Sequence, residues 1–107
     1  MGQLIYGGNR VIELDDEVLA HLRSVTFTKL RRNESFALTV PGPGGGCEAL
    51  WIHAAIPLRF MIDERASLNR PFLVDMMAAT NSAGGLDLTS REFAPRQADA
   101  GLQAISA

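Results

Sequence analysis

The scarce reactive groups of this 107-residue chain are two histidines, His21 and His53, one cysteine, Cys47, and one lysine, Lys29. A zinc site needs three or four converging ligands, and no His-x-x-His or Glu-x-x-His spacing occurs. One thiol supplies neither an intrachain disulfide nor a two-thiolate metal site. Cys47 is expected to be a small, half-buried strand residue. His21 lies off the apolar stripe of its helix and reads as a solvated position. An acid–base role for His53 would need a nucleophile and an orienting group beside it. Asp63 and Glu64 are neighbours that point to opposite sides of an extended strand end, a poor geometry for paired acid–base chemistry. The glycine-rich run Gly42-Pro43-Gly44-Gly45-Gly46 leads through Cys47-Glu48-Ala49 into a strand. A phosphate cradle instead needs Gly-Lys followed by Ser or Thr opening a helix. It is therefore read as a hairpin loop. No catalytic residue, metal or cofactor is expected.

The elements that hold these residues follow from periodicity. Gln3–Tyr6 and Arg10–Leu14 are short apolar runs joined by Gly7-Gly8-Asn9, residues that tolerate the positive φ of a three-residue hairpin loop. Asp15 or Asp16 caps a helix that runs to about Arg32, with Val18, Leu19, Leu22, Val25, Thr26 and Leu30 on one stripe. Lys29, Arg31 and Arg32 meet the negative end of its dipole, and Asn33 ends it. Three runs then alternate with period two. Phe36, Leu38 and Val40 share one side; Leu50, Ile52 and Ala54 another; Ile56, Leu58, Phe60 and Ile62 a third. A second helix begins near Asn69, with Pro71 in its first turn and Leu68 placed to staple against Leu73. Phe72, Leu73, Met76, Met77 and Thr80 form its inner stripe. Asn81 with Gly84-Gly85 ends it, and Leu86-Asp87-Leu88 adds an edge strand.

The order β-β-α-β-β-β-α, with a final β, predicts an α+β two-layer sandwich: a mainly antiparallel sheet with two helices on one face. Residues 1–88 form one domain and 89–107 a flexible tail. Hydrophobic residues at 47% and charged residues at 21% are those of an ordinary folded domain. No apolar run is long enough to span a bilayer, and the start lacks the pattern of a secretory signal, so a cytoplasmic protein is expected. Ten basic residues against twelve acidic ones give a net charge of -2. That balance argues against a protein that lives by non-specific phosphate contacts.

The outward side of the sheet is the more informative surface. If the helices cover Phe36, Leu38, Leu50, Ile52, Leu58 and Phe60, then Thr39, Trp51, His53, Arg59 and Met61 face away. A bare tryptophan and methionine mark a contact surface, with Trp and Arg the types enriched at interface centres. Phe27, opposite the buried stripe of the first helix, adds to this. The partner expected is a second copy of the chain, as a homodimer or larger, or another protein. The competing reading is a nucleic-acid accessory protein, in which Trp51 and Arg59 act with Lys29, Arg31 and Arg32 on bases and phosphates. A small hydrolase or transferase would require a second titratable group close to His53.

The segments Leu4-Ile5-Tyr6-Gly7, Leu19-Ala20-His21-Leu22, Lys29-Leu30-Arg31-Arg32 with Glu34-Ser35-Phe36, Leu50-Trp51-Ile52-His53, Ile56-Pro57-Leu58-Arg59-Phe60, Leu68-Asn69-Arg70, and Asn81-Ser82 with Gly84-Gly85-Leu86 together carry a resemblance. The chain resembles a family of small, uncharacterised actinobacterial (high-GC Gram-positive) proteins whose members often bear the label "ATP-dependent DNA ligase". Ala54 departs from the family pattern, which has proline there, and the loop at 41–46 differs. The resemblance implies an association with DNA metabolism at most. A ligase attacks ATP with the lysine of a Lys-x-Asp-Gly motif, and Lys29 is followed by Leu30, Arg31 and Arg32. Its stem is expected to pack on the apolar stripe while its amine reaches water. The sequence therefore points to a non-enzymatic binding protein without metal, cofactor or membrane.

Overall fold

The computed structural model describes residues 1–63 and 65–93. Strands β1 (Gly2–Tyr6) and β2 (Arg10–Leu14) form the expected hairpin around Gly7-Gly8-Asn9. Helix α1 (Asp16–Arg31) starts at Asp15, whose carboxylate accepts from the amides of Glu17 and Val18. Asn33 takes the left-handed conformation (φ 57°) just past its end, a conformation that Asn tolerates. Strands β3 (Phe36–Pro41) and β4 (Cys47–Ile52) pair antiparallel across the glycine-rich loop, where Pro43–Gly45 make a single 3₁₀ turn. That run is a hairpin connection, as its sequence implies. Strand β5 (Leu58–Met61), helix α2 (Arg70–Thr80) and strand β6 (Leu86–Asp87) complete the order. The side chain of Asn69 caps α2 by accepting from the Phe72 amide, and Pro71 sits in the first turn.

The α+β class, the element order and the final strand are as expected, while the pairing is richer than one sheet. The strands form two three-stranded sheets, ordered β2-β1-β5 and β4-β3-β6. Three pairs are antiparallel and β3–β6 is parallel. After β4 the chain turns at residues 53–57 (Ile56 N–H to His53 C=O, 3.0 Å), and Gly7 N–H donates to Pro57 C=O at 3.0 Å. That bond leads β5 onto β1 instead of back onto β4. The parallel pair follows from α2, which returns the chain to β3 as a crossover connection must.

One core spans both sheets. Leu4, Ile12 and Leu14 come from the first sheet, Phe36, Leu38, Val40, Leu50, Ile52 and Leu86 from the second. Helix α1 packs on β1 and on α2, and α2 packs on β3 and β6. Because α1 is covered on two sides, its buried arc is wider than one stripe and includes His21 and Lys29. His21 is therefore not a solvated residue. Its Nδ1 lies 2.7 Å from Glu17 C=O and its Nε2 accepts from the Asn69 amide at 2.8 Å. Lys29 does not reach free water either. Its ammonium donates to Asn81 Oδ1 (2.7 Å) and pairs with Glu34 Oε1 (3.2 Å). These two side chains, eight positions apart, hold the start and the end of α2, so the two helices run in the same sense. Among the described residues every buried side-chain polar atom has a partner, as the energetics of burial require.

Two further expectations are corrected. Leu68 does not staple under Leu73, since it is 51% exposed and lies along α1 instead. The packed domain also extends past residue 88. Phe93 is buried, with its ring 5.8 Å from that of Phe72. The remaining part of the expected tail, 94–107, lies outside the described residues.

Candidate functional site

Side chains alternate across a strand, and the register of the β4-β3-β6 sheet fixes what its outer face carries. Phe36, Leu38, Val40, Leu50, Ile52 and Leu86 point inward and are buried. The outward positions pair as Ala37 with Trp51, Thr39 with Ala49, and Pro41 with Cys47. Trp51 stands on this face 54% exposed. The side chains around it are small, so the face consists of one bulky ring beside a shallow floor of Ala37, Ala49 and Thr39. On the β6 side, Asp87 is consumed locally, its carboxylate accepting from the Thr89 amide (2.8 Å) and hydroxyl (2.6 Å).

The strand under Trp51 is held firmly. Tyr6 Oη donates to the Trp51 carbonyl at 2.9 Å, and Arg10 Nε donates to Glu48 Oε1 at 2.9 Å. Hydrogen bonding to Glu48 raises the Arg10 pKa above its ordinary value. The tip of the β1–β2 hairpin is thus fastened to the edge strand β4 at two points. Fixing the backbone leaves the indole positioned but unshielded.

The residues singled out from sequence do not all converge. Thr39 and Trp51 share the face described. Arg59 and Met61 lie on the other sheet, facing outward beside Ile5 and Gln3, their cross-strand partners. His53 lies just past β4, exposed, and its Nδ1 accepts from the Ala55 amide at 3.0 Å, a bond that shapes the local turn. Of the basic set, Arg31 and Arg32 are exposed while Lys29 is buried and already engaged. Cys47 is exposed, not half-buried, because it begins an edge strand. Among the described residues no three His, Cys, Asp or Glu side chains cluster as metal ligands. No helix there is long and apolar enough to cross a membrane.

Alternation alone puts Ala37 and Ala49 on the outward side with Thr39 and Trp51, but small residues carry no chemistry of their own that would mark them as part of a site. Only the β3–β4 register places them beside the ring. The other half-exposed aromatic is Phe27, which lines a groove with Leu30 and Leu68.

These features define a small α+β domain with bare aromatic surfaces. Residues 1–91 match a family described as a domain of unknown function (DUF7882), and the chain belongs to that family. No curated protein and no solved structure gives a match.

Proposed function

We propose that the protein is a non-catalytic, cytoplasmic binding module that self-associates through the outer face of the β4-β3-β6 sheet. Trp51 of each copy covers Ala37, Thr39 and Ala49 of the other, a self-complementary arrangement of the kind a two-fold dimer requires. The observation that carries this reading is the half-exposed indole standing beside a floor of small side chains. Covering the exposed half of a tryptophan removes roughly 100 Å² of apolar surface from water, worth about 3 kcal/mol per ring. Two rings and two floors offset the cost of association at micromolar concentration. The hairpin fastened to β4 by Tyr6 and Arg10 covers part of that strand's edge, which favours the face over the edge as the contact.

The family resemblance and its ligase label add no catalytic role. The only lysine has its ammonium held by Asn81 and Glu34, which supports a structural part for it instead of nucleophilic attack. The same engagement removes Lys29 from the set of phosphate contacts that a nucleic-acid reading would use.

Sedimentation velocity at tens of micromolar is expected to show a dimer, and Trp51→Ala to weaken it about 100-fold or more, with the circular dichroism spectrum of the folded chain unchanged. Ala49→Glu, on the floor, is expected to do the same. Trp51 is the only tryptophan, so its emission should shift to longer wavelength on dilution. A monomeric wild type at that concentration, or a dimer that survives both substitutions, would refute the proposal.

A further inference from the structure

The exposed side of α1 that borders β5 carries a second surface, separate from the Trp51 face. Phe27 is 54% exposed and Leu68 51%. With Leu30 they form an apolar groove, bordered by Arg23 and Arg31. The two arginines lie four residues before and four after Phe27, so they sit about one turn above and below the ring on the same side of the helix. Among the described residues neither forms an ion pair. In a chain of net charge -2, this is a cationic groove with an apolar floor. Phe27 is also held in place, edge-on to Phe60 with ring centroids 5.8 Å apart and planes at 87°. An exposed anchor that is already ordered loses little conformational freedom when it is covered.

We propose that this groove docks an acidic peptide segment of another protein, one with a bulky apolar side chain flanked on both sides by Asp or Glu. The apolar side chain packs on Phe27, Leu30 and Leu68 while the carboxylates reach Arg23 and Arg31. The arginines' Cα atoms are about 12 Å apart along the helix, at 1.5 Å per residue. An extended segment spans that distance with acidic residues two positions before and two after its anchor, at about 3.3 Å per residue. Charge complementarity picks this partner over a neutral one, and the apolar floor picks it over a nucleic acid, whose grip needs a wider run of cations.

The test uses the full chain as bait for a displayed library of random short peptides, followed by fluorescence anisotropy with the selected sequences. The expected outcome is enrichment of acidic residues on both sides of Leu, Phe or Trp, with binding that weakens as salt is added. Phe27→Ala should weaken it about 30-fold or more. Arg23→Glu combined with Arg31→Glu should weaken it about ten-fold or more at low salt. All three positions are on the surface, and circular dichroism should report unchanged folding. Phe27→Ala should also leave the Trp51-dependent dimer intact, so the two surfaces fail separately. The proposal is overturned if selection returns no acidic motif, if the selected peptides bind the Phe27→Ala chain equally well, or if a single-stranded oligonucleotide binds through these arginines instead. Loss of the dimer in Phe27→Ala would assign the groove to a second copy of the chain and overturn it as well.

Discussion

Gly85→Ala is expected to destabilise the domain by about 3 kcal/mol, enough to leave a marginal protein largely unfolded at elevated temperature. Gly85 adopts φ +73°, a left-handed conformation that costs a side-chain-bearing residue about 1 kcal/mol. A Cβ there would also lie 2.5 Å from the Ala37 carbonyl oxygen and 2.8 Å from the Ala37 Cβ. Ala37 belongs to β3, the central strand of its sheet, paired with β4 on one side and β6 on the other. The backbone it would have to displace is therefore held from both edges, and overpacking of that kind adds a further 1–3 kcal/mol or so. Gly84 is the internal control, since a Cβ at that position meets nothing within 4 Å. Gly84→Ala should stay within about 0.5 kcal/mol of the wild type. Urea denaturation of the two variants makes the comparison, and a Gly85→Ala midpoint equal to that of Gly84→Ala would contradict the close approach. Because Ala37 also floors the Trp51 face, Gly85 substitutions tolerated at low temperature should weaken self-association too.

His21→Ala should be destabilising to a similar degree, by about 3 kcal/mol. The ring is fully buried and lies 4.5 Å from Phe72, centroid to centroid. Its Nε2 accepts from the Asn69 amide, so that nitrogen carries no proton, and Nδ1–H then donates to the Glu17 carbonyl. The neutral ring thus satisfies one backbone group on α1 and another at the start of α2, and a protonated ring would forfeit the second. Burial pushes the His21 pKa below 6.5. In the unfolded chain the imidazole takes up a proton near pH 6.5, whereas in the folded chain it stays neutral to lower pH. The unfolded state therefore binds more protons in the window just below 6.5. Stability holds its full value above that pH, falls by up to about 1.4 kcal/mol per pH unit within the window, and levels off beneath the folded pKa. His21→Phe keeps the ring contact with Phe72 and removes the titration, so its loss of stability between pH 7.5 and 5.5 should be smaller than that of the wild type. An NMR titration showing the folded His21 protonating at or above pH 6.5 would contradict this account.

Most local decisions were legible from residue types. Asp15 and Asn69 announce helix starts because their short acceptors match unpaired amides. Asn33, Gly7 and Gly8 mark places where the chain turns with positive φ. Alternation from Phe36 to Val40 and from Leu50 to Ile52 separates the inner face from the outer one, and that pattern alone put the Trp51 ring outside. Each of these depends on a few adjacent residues, which is why one sequence suffices.

The candidate site was only half legible. Trp51 and Thr39 share a face as expected, but Arg59 and Met61 belong to the other sheet, because alternation says which way a side chain points and nothing about which strand lies alongside. The departure of β5 to β1 rests on long-range contacts such as Gly7 to Pro57. His21 and Lys29 are buried, against expectation, for a related reason. A single apolar stripe implies one buried side, whereas α1 is covered on two, and a polar residue on the second side is tolerated only where a distant group, Asn69 or Asn81, arrives to satisfy it.

The sequence by itself determined the strands and helices, their caps, the turns between them and the outward indole, since all of these are set by interactions within a few residues. Tertiary structure alone decided the division into two sheets, the second buried side of α1, the floor of Ala37 and Ala49 beside Trp51, and the groove around Phe27. Those features arise where segments far apart in the chain meet, and their energies depend on burial and pairing that no local pattern encodes.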